Sequence, residues 1–402
     1  MRILMVNKFL YPNGGSETYI MRLGQWLSQQ GHRVEYFGME DERNTVGNSW
    51  GLYTSNREFR SGLSLSKVIY PFAIIYSVQA RNKIRKLIRE FRPDVVHLNN
   101  INFQITPSIL YEIKKAKIPV VWTAHDYQLV CPNHSLYIHQ EKRICTACLS
   151  GKYSGCLKYK CLHGSTVKSL IAMLESILYK WLGTYKIVDK VICPSRFIKE
   201  KLETRPELCG KCTVLHNFID QVEAGEIPHG DYVLYFGRFD KEKGIETLLS
   251  VCRELPDIPF VFAGSGPLGD ALSTIDNVKN VGFQSGEDLK DLICHARFTI
   301  YPSEWYENCP FSVMESQMYG VPVIGADIGG IPELIKDKET GLLFKNGDKA
   351  ALKKAVYSLY HQPQLRDTYA KNCLQTEFDT LDIYGRKLLE LYTSLISRKG
   401  DK

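Results

Sequence analysis

The sequence predicts an α/β protein built from two doubly wound parallel-sheet domains. Three observations carry this reading. Short apolar runs alternate with longer segments of helical periodicity. The alternation occurs twice, in two series separated by Leu215–Asp231, a stretch that holds Asn217, Gly225, Pro228 and Gly230 and few apolar residues. The chain is long enough for two cores, at 402 residues, and its 44% hydrophobic and 24% charged residues exclude a disordered or fibrous chain.

The first series opens with the apolar run Ile3–Asn7. A turn at Asn13-Gly14-Gly15-Ser16 leads into a helical pattern with Tyr19, Ile20, Leu23, Trp26 and Leu27 on one face. Gly31 stops that helix, and Arg33–Phe37, Asp94–Leu98 and Pro119–Thr123 read as further buried strands. Residues 131–165 break the pattern, being rich in Cys and Tyr with little periodicity. Helical periodicity resumes over Ser169–Tyr185, and Val188–Cys193 is another strand. The second series contains the strands Tyr232–Phe236, Phe260–Ala263, Phe298–Tyr301 and Pro322–Gly325. From Tyr384 onward, Leu388, Leu391, Tyr392 and Leu395 fall at helical spacing. The expected division is residues 1–216 with a Cys-rich insert at 131–165, completed by a terminal helix over 381–402, and a second domain over 217–380. Ligands of such sheets sit at the carboxyl ends of the strands, which places a cleft between the domains.

Net charge excludes one class of partner. Lys+Arg minus Asp+Glu is 51 − 44 = +7, too small for this length to imply nucleic acid. No apolar run reaches membrane-spanning length, and Val68–Val78 carries Pro71. The apolar run Ile3–Val6 is too short for a secretory signal, so a cytoplasmic location is expected.

Four segments carry candidate chemistry. Asn13-Gly14-Gly15-Ser16-Glu17 precedes a helix, where backbone N–H groups can meet an anion; a plain strand-to-helix turn reads equally well. Gly237-Arg238-Phe239-Asp240-Lys241-Glu242-Lys243-Gly244 follows a strand, so Arg238 and Lys243 can converge on a phosphate; the competing reading is a solvated charge run. Gly264-Ser265-Gly266-Pro267-Leu268-Gly269 spells a dinucleotide fingerprint, but Pro267 removes an amide donor and Phe283-Gln284-Ser285 supplies no acidic residue after the next strand. It reads as a tight turn that lets a ligand approach the backbone. In Ser303–Glu315, Pro310 suits the first turn of a helix whose Phe311, Ser312 and Val313 amides face an anion. Glu307 and Glu315 on either side suit polyol hydroxyls, because carboxylates are pure acceptors. An anion between two polyols describes a nucleotide-sugar.

These segments together resemble the retaining glycosyltransferases of family 4, built on two Rossmann-like domains in the GT-B architecture. The matching features are Gly14-Gly15, Gly237-Arg238…Lys243-Gly244, Glu307-x7-Glu315, Gly320-Val321-Pro322-Val323, and Gly329-Gly330…Glu333 running to Thr340-Gly341-Leu342. The resemblance implies that Arg238 and Lys243 neutralise the departing diphosphate. It places Glu307 on the hydroxyls of the donor sugar, Glu315 on the ribose, and the Phe311 and Ser312 amides after Pro310 on the diphosphate. It brings Gly14 and Gly15 to the donor from the first domain, and His125, in Thr123-Ala124-His125-Asp126, to the donor sugar. Gly264, Gly266 and Phe283 join the donor-binding set. The chemistry needs no catalytic metal: the chain has no D-x-D motif, and Arg and Lys can compensate a leaving diphosphate. A lone strand-end histidine is otherwise a hydrogen-bonded structural residue.

The implied activity is transfer of a hexose or N-acetylhexosamine from a UDP- or GDP-linked donor to a glycan or lipid-linked glycan, in bacterial surface polysaccharide synthesis. The alternatives are a nucleotide-sugar epimerase of similar architecture, an NAD-dependent oxidoreductase resting on Gly264–Gly269, and a metal-stabilised scaffold without catalysis. Residues 40–66 and 100–106 are the expected acceptor loops.

Five of the 12 cysteines fall between Cys131 and Cys161. The spacing Cys131-x13-Cys145-x2-Cys148-x7-Cys156-x4-Cys161 suits tetrahedral zinc, with one thiol too many, and leaves iron–sulfur or free thiols open. A subset of the resembled family carries a similar insert, which implies Cys131, Cys145, Cys148 and Cys161 as structural zinc ligands. Finally, Ile84, Leu87, Ile88 and Phe91 form one helical stripe and Arg81, Arg85 and Arg89 another. This reads either as a core face with a solvated basic face or as peripheral contact with an anionic membrane at the inner face of the plasma membrane.

Overall fold

The computed structural model describes residues 1–55, 74–220 and 230–400. Most of Val68–Val78, residues 56–66 of the expected acceptor loops, and Gly225 and Pro228 of the connecting stretch lie outside the described residues. The chain divides into two compact units. One comprises Met1–Gln140, Cys145–Asn217 and Leu381–Lys402, and the other Glu141–Ile144 and Phe218–Thr380.

The first unit contains strands β1 (Arg2–Val6), β2 (Arg33–Phe37), β3 (Val95–Leu98), β4 (Val120–Thr123), β5 (Lys190–Cys193) and β6 (Cys212–Val214). Its helices are α1 (Gly15–Gln29), α2 (Val78–Phe91), α3 (Leu110–Lys115), α4 (Ser154–Lys158), α5 (Thr166–Trp181) and α6 (Arg196–Glu203). The strands form one parallel sheet in the order β2-β1-β3-β4-β5-β6. Ile3 to Val6, Val95 to Leu98 and Val120 to Thr123 are all buried, as expected of parallel strands covered on both faces.

The second unit contains β7 (Tyr232–Phe236), β8 (Phe260–Ala263), β9 (Val278–Gly282), β10 (Ala296–Tyr301), β11 (Val323–Asp327) and β12 (Gly341–Lys345). Its helices are α7 (Ile245–Glu254), α8 (Gly269–Leu272), α9 (Gly286–Cys294), α10 (Phe311–Met318), α11 (Lys349–His361) and α12 (Pro363–Leu374). The parallel sheet order is β9-β8-β7-β10-β11-β12, so the winding reverses between β7 and β10. The loops leaving the carboxyl ends of those two strands therefore open side by side. In the first sheet the reversal lies between β1 and β3.

Helix α13 (Leu381–Gly400) returns to the first unit and buries Tyr384, Leu388, Tyr392 and Leu395. Both tyrosines enter a buried polar chain. The Tyr384 and Tyr19 hydroxyls are 2.7 Å apart, and Tyr19 is 3.2 Å from the Thr123 hydroxyl. Thr123 is 2.7 Å from His97 Nε2, and His97 Nδ1 is 2.5 Å from the Tyr392 hydroxyl. Gly385 fits because a Cβ there would come within 2.3 Å of the Trp26 ring.

The structure bears on the two readings of α2. Its apolar stripe, with Ile84, Leu87, Ile88 and Phe91, is buried. Arg81 pairs with Glu112 of α3, and Arg85 Nε lies 2.6 Å from the same carboxylate, whose pKa falls to about 2, chiefly through the Arg85 hydrogen bond. Arg81 and Arg85 thus serve an ion pair on Glu112 while Arg89 is exposed, which fits the reading of a core face with a basic outer face. Among the described residues no helix is long and apolar enough to cross a membrane.

The buried chain predicts an acid-sensitive fold. Burial lowers the His97 pKa from 6.5 to about 3, so its stabilising contribution is complete above about 6.5 and is lost as pH falls toward about 3. Tyr392→Phe leaves His97 Nδ1 buried without its partner. The expected cost is about 1–3 kcal/mol, read as a lower urea midpoint with an unchanged m-value.

Candidate functional site

The loop after β7 begins at Gly237, and the Tyr235 hydroxyl donates to the Arg238 carbonyl at 2.7 Å. The Arg238 side chain is 62% exposed and pairs with Asp240 at 2.6 Å. A 3-10 turn over Lys241–Lys243 ends at Gly244, whose φ is 73°. A Cβ at Gly244 would lie 1.9 Å from the Pro302 carbonyl oxygen, so only glycine lets this loop press against the loop after β10.

That close approach aims Lys243 at Glu307. Lys243 Nζ is 2.5 Å from Glu307 Oε1 and 3.4 Å from the Tyr301 hydroxyl, and it lies over the Trp305 ring at 5.3 Å. The same Oε1 accepts from Ser303 Oγ at 2.8 Å and Trp305 Nε1 at 2.6 Å. Both charged side chains are largely withdrawn from water. Burial works against the Glu307 carboxylate, but the Lys243 charge and these hydrogen bonds outweigh it and hold its pKa below the usual value. The Glu307 backbone is fixed as well: its carbonyl accepts from Gly330 N at 2.8 Å. A Cβ on Gly329, at φ 62°, would come within 2.3 Å of that carbonyl oxygen.

Helix α10 starts directly after Pro310, and no side chain caps it. The Phe311 and Ser312 amides occupy its first turn, where an intrahelical partner is unavailable. Glu315 is half-buried further along the helix. The structure thus places Arg238, Lys243, Glu307, Pro310, Phe311, Ser312 and Glu315 on the two adjacent loops and the helix at the β7/β10 reversal.

The Gly264–Gly269 spacing has a packing role. A Cβ at Gly264 would lie 1.9 Å from the Gly237 carbonyl oxygen, and one at Gly266 would lie 2.7 Å from Phe239 N. The loops are laced by Phe239 N to Ser265 O at 2.9 Å and Leu268 N to Phe239 O at 3.1 Å. Phe283 follows the edge strand β9, is 75% exposed, and stands two strands away from β7.

In the first unit, Gly14 precedes α1 in extended backbone, with φ 164° and ψ −170°. Asn100 Nδ2 reaches Ser16 Oγ at 3.0 Å, and Asn7 Nδ2 reaches the buried Glu17 at 3.0 Å, so the Gly14-Gly15 turn is held in place. His125 follows β4. Its Nε2 is 2.9 Å from Asn99 Oδ1, and its ring meets Tyr19 edge-on at 4.9 Å. Burial pushes its pKa down to about 3, leaving a neutral imidazole. Beside it, burial raises the Asp126 carboxyl to about 6. The sequence reading did not single out Asn99, although the Asn99-Asn100 pair at a strand's carboxyl end was the available signal.

The zinc expectation is corrected. Among the described residues, no three His, Cys, Asp or Glu side chains converge where a metal ion could be held. Cys131, Cys145, Cys148 and Cys161 therefore do not fit a four-thiolate site. Cys131 Sγ turns to Asn133 Oδ1 at 2.8 Å, and Cys156 Sγ faces the Ser169 carbonyl at 3.6 Å. Cys148, Cys156 and Cys161 pack with Ile138, Tyr153 and Ala172 in one apolar cluster, with Cys145 at its margin. Burial raises the Cys131 thiol to about 12 and the Cys148 thiol to about 11.

Comparison with known proteins follows the same division. The model described as Glycosyltransferase Family 4 matches residues 13–222, and the one described as Glycosyl transferases group 1 matches residues 219–375. An uncharacterized 42.6 kDa protein from the cps region of Klebsiella pneumoniae is 26% identical over 358 residues, covering 83% of this chain and 87% of that one. The structure of Anabaena Alr3699/HepE in complex with UDP superposes with a TM-score of 0.69 at 16% identity, covering 98% of this chain and 100% of that one. Its complex with UDP-glucose gives a TM-score of 0.67 at 16% identity over 98% and 100% of the two chains. The fold is the GT-B arrangement of two Rossmann-like domains.

The Lys243–Glu307 pair carries a prediction. Lys243→Met strands a buried carboxylate and should cost about 3–5 kcal/mol near neutral pH. The wild-type contribution is present above the ordinary carboxyl pKa of 4.5 and is lost as pH falls through the depressed value. Urea unfolding should show Glu307→Gln restoring part of the loss in the double variant; simple additivity of the two losses would sink the pairing.

Proposed function

We propose that this chain, which belongs to Glycosyltransferase Family 4, is a retaining transferase that moves a hexose or N-acetylhexosamine from a nucleotide-sugar to a glycan or lipid-linked glycan. The observation that carries the reading is the convergence at the β7/β10 reversal. A buried Lys243–Glu307 pair, an exposed Arg238 and the uncapped start of α10 stand together at the carboxyl ends of adjacent strands. Amides and cations suit a diphosphate; flanking carboxylates suit sugar hydroxyls.

In this reading the exposed Arg238 leaves its partner Asp240 to meet the diphosphate as it departs, and Lys243 adds its charge. The Phe311 and Ser312 amides hold the phosphates, Glu307 takes donor-sugar hydroxyls, and Glu315 takes the ribose. Gly264 and Gly266 shape the loop beneath. Phe283, at the far edge of the sheet, is the weakest member of the set. In the first unit, Gly14 has extended backbone, and the nearest described atom to a Cβ there is Glu17 Oε2 at 3.5 Å, an ordinary contact. The fold itself does not require that glycine, which favours a ligand approaching the backbone at Gly14-Gly15. Neutral His125 suits a sugar hydroxyl, since it can donate or accept without carrying charge.

Retention follows if the departing phosphate takes the acceptor's proton on the face it leaves, with the cations compensating the developing charge. A UDP-linked donor is favoured by the solved relative that holds UDP and UDP-glucose, and a capsular polysaccharide setting by the Klebsiella relative. Work on a lipid-linked acceptor would place the enzyme at the inner face of the plasma membrane. Loop packing accounts for Gly264 and Gly266, which weakens the oxidoreductase reading that rested on that motif.

Thermal unfolding with UDP, GDP, their sugar conjugates and NAD(H) tests the reading. A ligand at about 100 times its Kd adds about 2.7 kcal/mol. Stabilisation by one nucleotide and its sugars, lost in Arg238→Ala, is the expected result. Stabilisation by NAD(H) alone would overturn it. Glu307→Gln should lower transfer on the order of 100-fold.

A further inference from the structure

Helix α5 is amphipathic in the wrong sense for a helix packed on a core. Its inward face carries Ser169, Ala172, Glu175 and Tyr179, all buried. Its outward face carries Val167, Leu170, Leu174, Ile177 and Trp181, all exposed, with Val167 at 66% and Trp181 at 80%. The 3-4-3-4 spacing aligns these five side chains in one stripe about 21 Å long.

The orientation is fixed by specific bonds. The Ser169 hydroxyl accepts from Leu162 N at 3.1 Å, and the Tyr179 hydroxyl donates to the Ile75 carbonyl at 2.7 Å. Turning the apolar face inward would break both.

The sequence around the stripe is rich in lysine. Lys180 flanks it on α5, and Lys152, Lys158, Lys160, Lys186 and Lys190 lie in the segments that adjoin α5 in sequence. Across residues 152–190 the acidic residues are Glu175, which is buried, and Asp189, which pairs with Lys399 at 2.9 Å. At its Trp181 end the stripe meets a cavity of about 380 Å³ lined by Tyr153, Lys180, Lys186, Arg205 and Glu207. Arg205 is buried there, and its Nη2 makes no hydrogen bond among the described residues; Glu207 lies 3.4 Å from Arg205 Nε.

We propose that α5 docks this protein on an anionic lipid bilayer, with the Val167-to-Trp181 stripe in the interfacial layer and the lysine rim on the headgroups. A lysine rim opposes a second copy of itself, whereas it complements anionic lipid. Trp181 at the end of the stripe suits the interface, where an indole has an apolar body and a polar N–H. The stripe belongs to the first unit and the β7/β10 loops to the second, so the two readings share no residue and the proposal stands or falls independently of the transfer reading.

The test uses the full chain with vesicles of phosphatidylglycerol mixed into phosphatidylcholine, against phosphatidylcholine alone. Co-sedimentation with the anionic vesicles, weakened by salt, is expected, with a tryptophan blue shift that disappears in Trp181→Phe. Leu174→Ser and Ile177→Ser should each weaken binding about tenfold, since each removes a buried apolar side chain. Both positions are exposed, so the variants should melt like wild type. Lys180→Glu should weaken binding to anionic vesicles alone. Absence of binding to the anionic vesicles, or binding unchanged in Leu174→Ser and Ile177→Ser, would overturn the proposal. So would a concentration-dependent dimer abolished by the same substitutions, which would assign the stripe to a second copy.

Discussion

Glu307 can stay charged out of water because Lys243 is there. Burial alone would drive the carboxyl toward its neutral form, and the ammonium 2.5 Å away reverses that direction. Much of the local backbone serves this contact. Gly244 lets the Lys243 turn press on Pro302, Gly329 and Gly330 clasp the Glu307 carbonyl, and Ser303 and Trp305 complete the shell around Oε1. The pair therefore does two things at once. It ties together two loops from either side of the winding reversal, and it concentrates charge where the strands end. Under the proposed transfer reading both would serve, because a leaving diphosphate is best met by charge that is already oriented.

Glycines in this chain divide by what requires them. At 244, 264, 266 and 329 a Cβ would collide with backbone of a neighbouring loop at 1.9–2.7 Å. Gly14 meets no such obstacle and sits in extended backbone that any residue could adopt. A glycine that the fold demands says little about ligands, whereas one that the fold does not demand is better evidence for an approaching molecule. By this measure the Gly264–Gly269 motif, the more familiar pattern, carries less functional information than Gly14.

Much of the architecture was legible because buried parallel strands read as unbroken apolar runs. Ile3–Val6, Val95–Leu98, Val120–Thr123 and Tyr232–Phe236 declared themselves this way. The edge strand β9, VKNVG, is half exposed and carries no such run, and β6 is three residues long, so neither was visible. In β12 the sequence GLLFK was legible as part of a family motif rather than as a strand. Glu307 and Lys243 were legible as residues, but their contact joins positions 64 apart and needed the sheet order to appear. The polar chain from Tyr384 to Tyr392 was hidden for the same reason, since the terminal helix gives only its apolar spacing and not its partners.

The cysteine segment shows how spacing can be read correctly and its consequence wrongly. A C-x2-C with neighbours specifies closeness, and Cys148, Cys156 and Cys161 are indeed packed together. Closeness is not convergence: a metal needs thiolates aimed at one point, whereas Cys131 faces Asn133 Oδ1 and Cys161 faces the Gly155 carbonyl. Buried thiols then act as small apolar side chains. Their role here is visible in what they touch. The cluster includes Ala172 on the inward face of α5, and Cys156 lies against the Ser169 carbonyl one turn earlier. The segment that looked like a metal loop thus pins the polar face of α5 inward, and in doing so holds the row from Val167 to Trp181 out toward solvent.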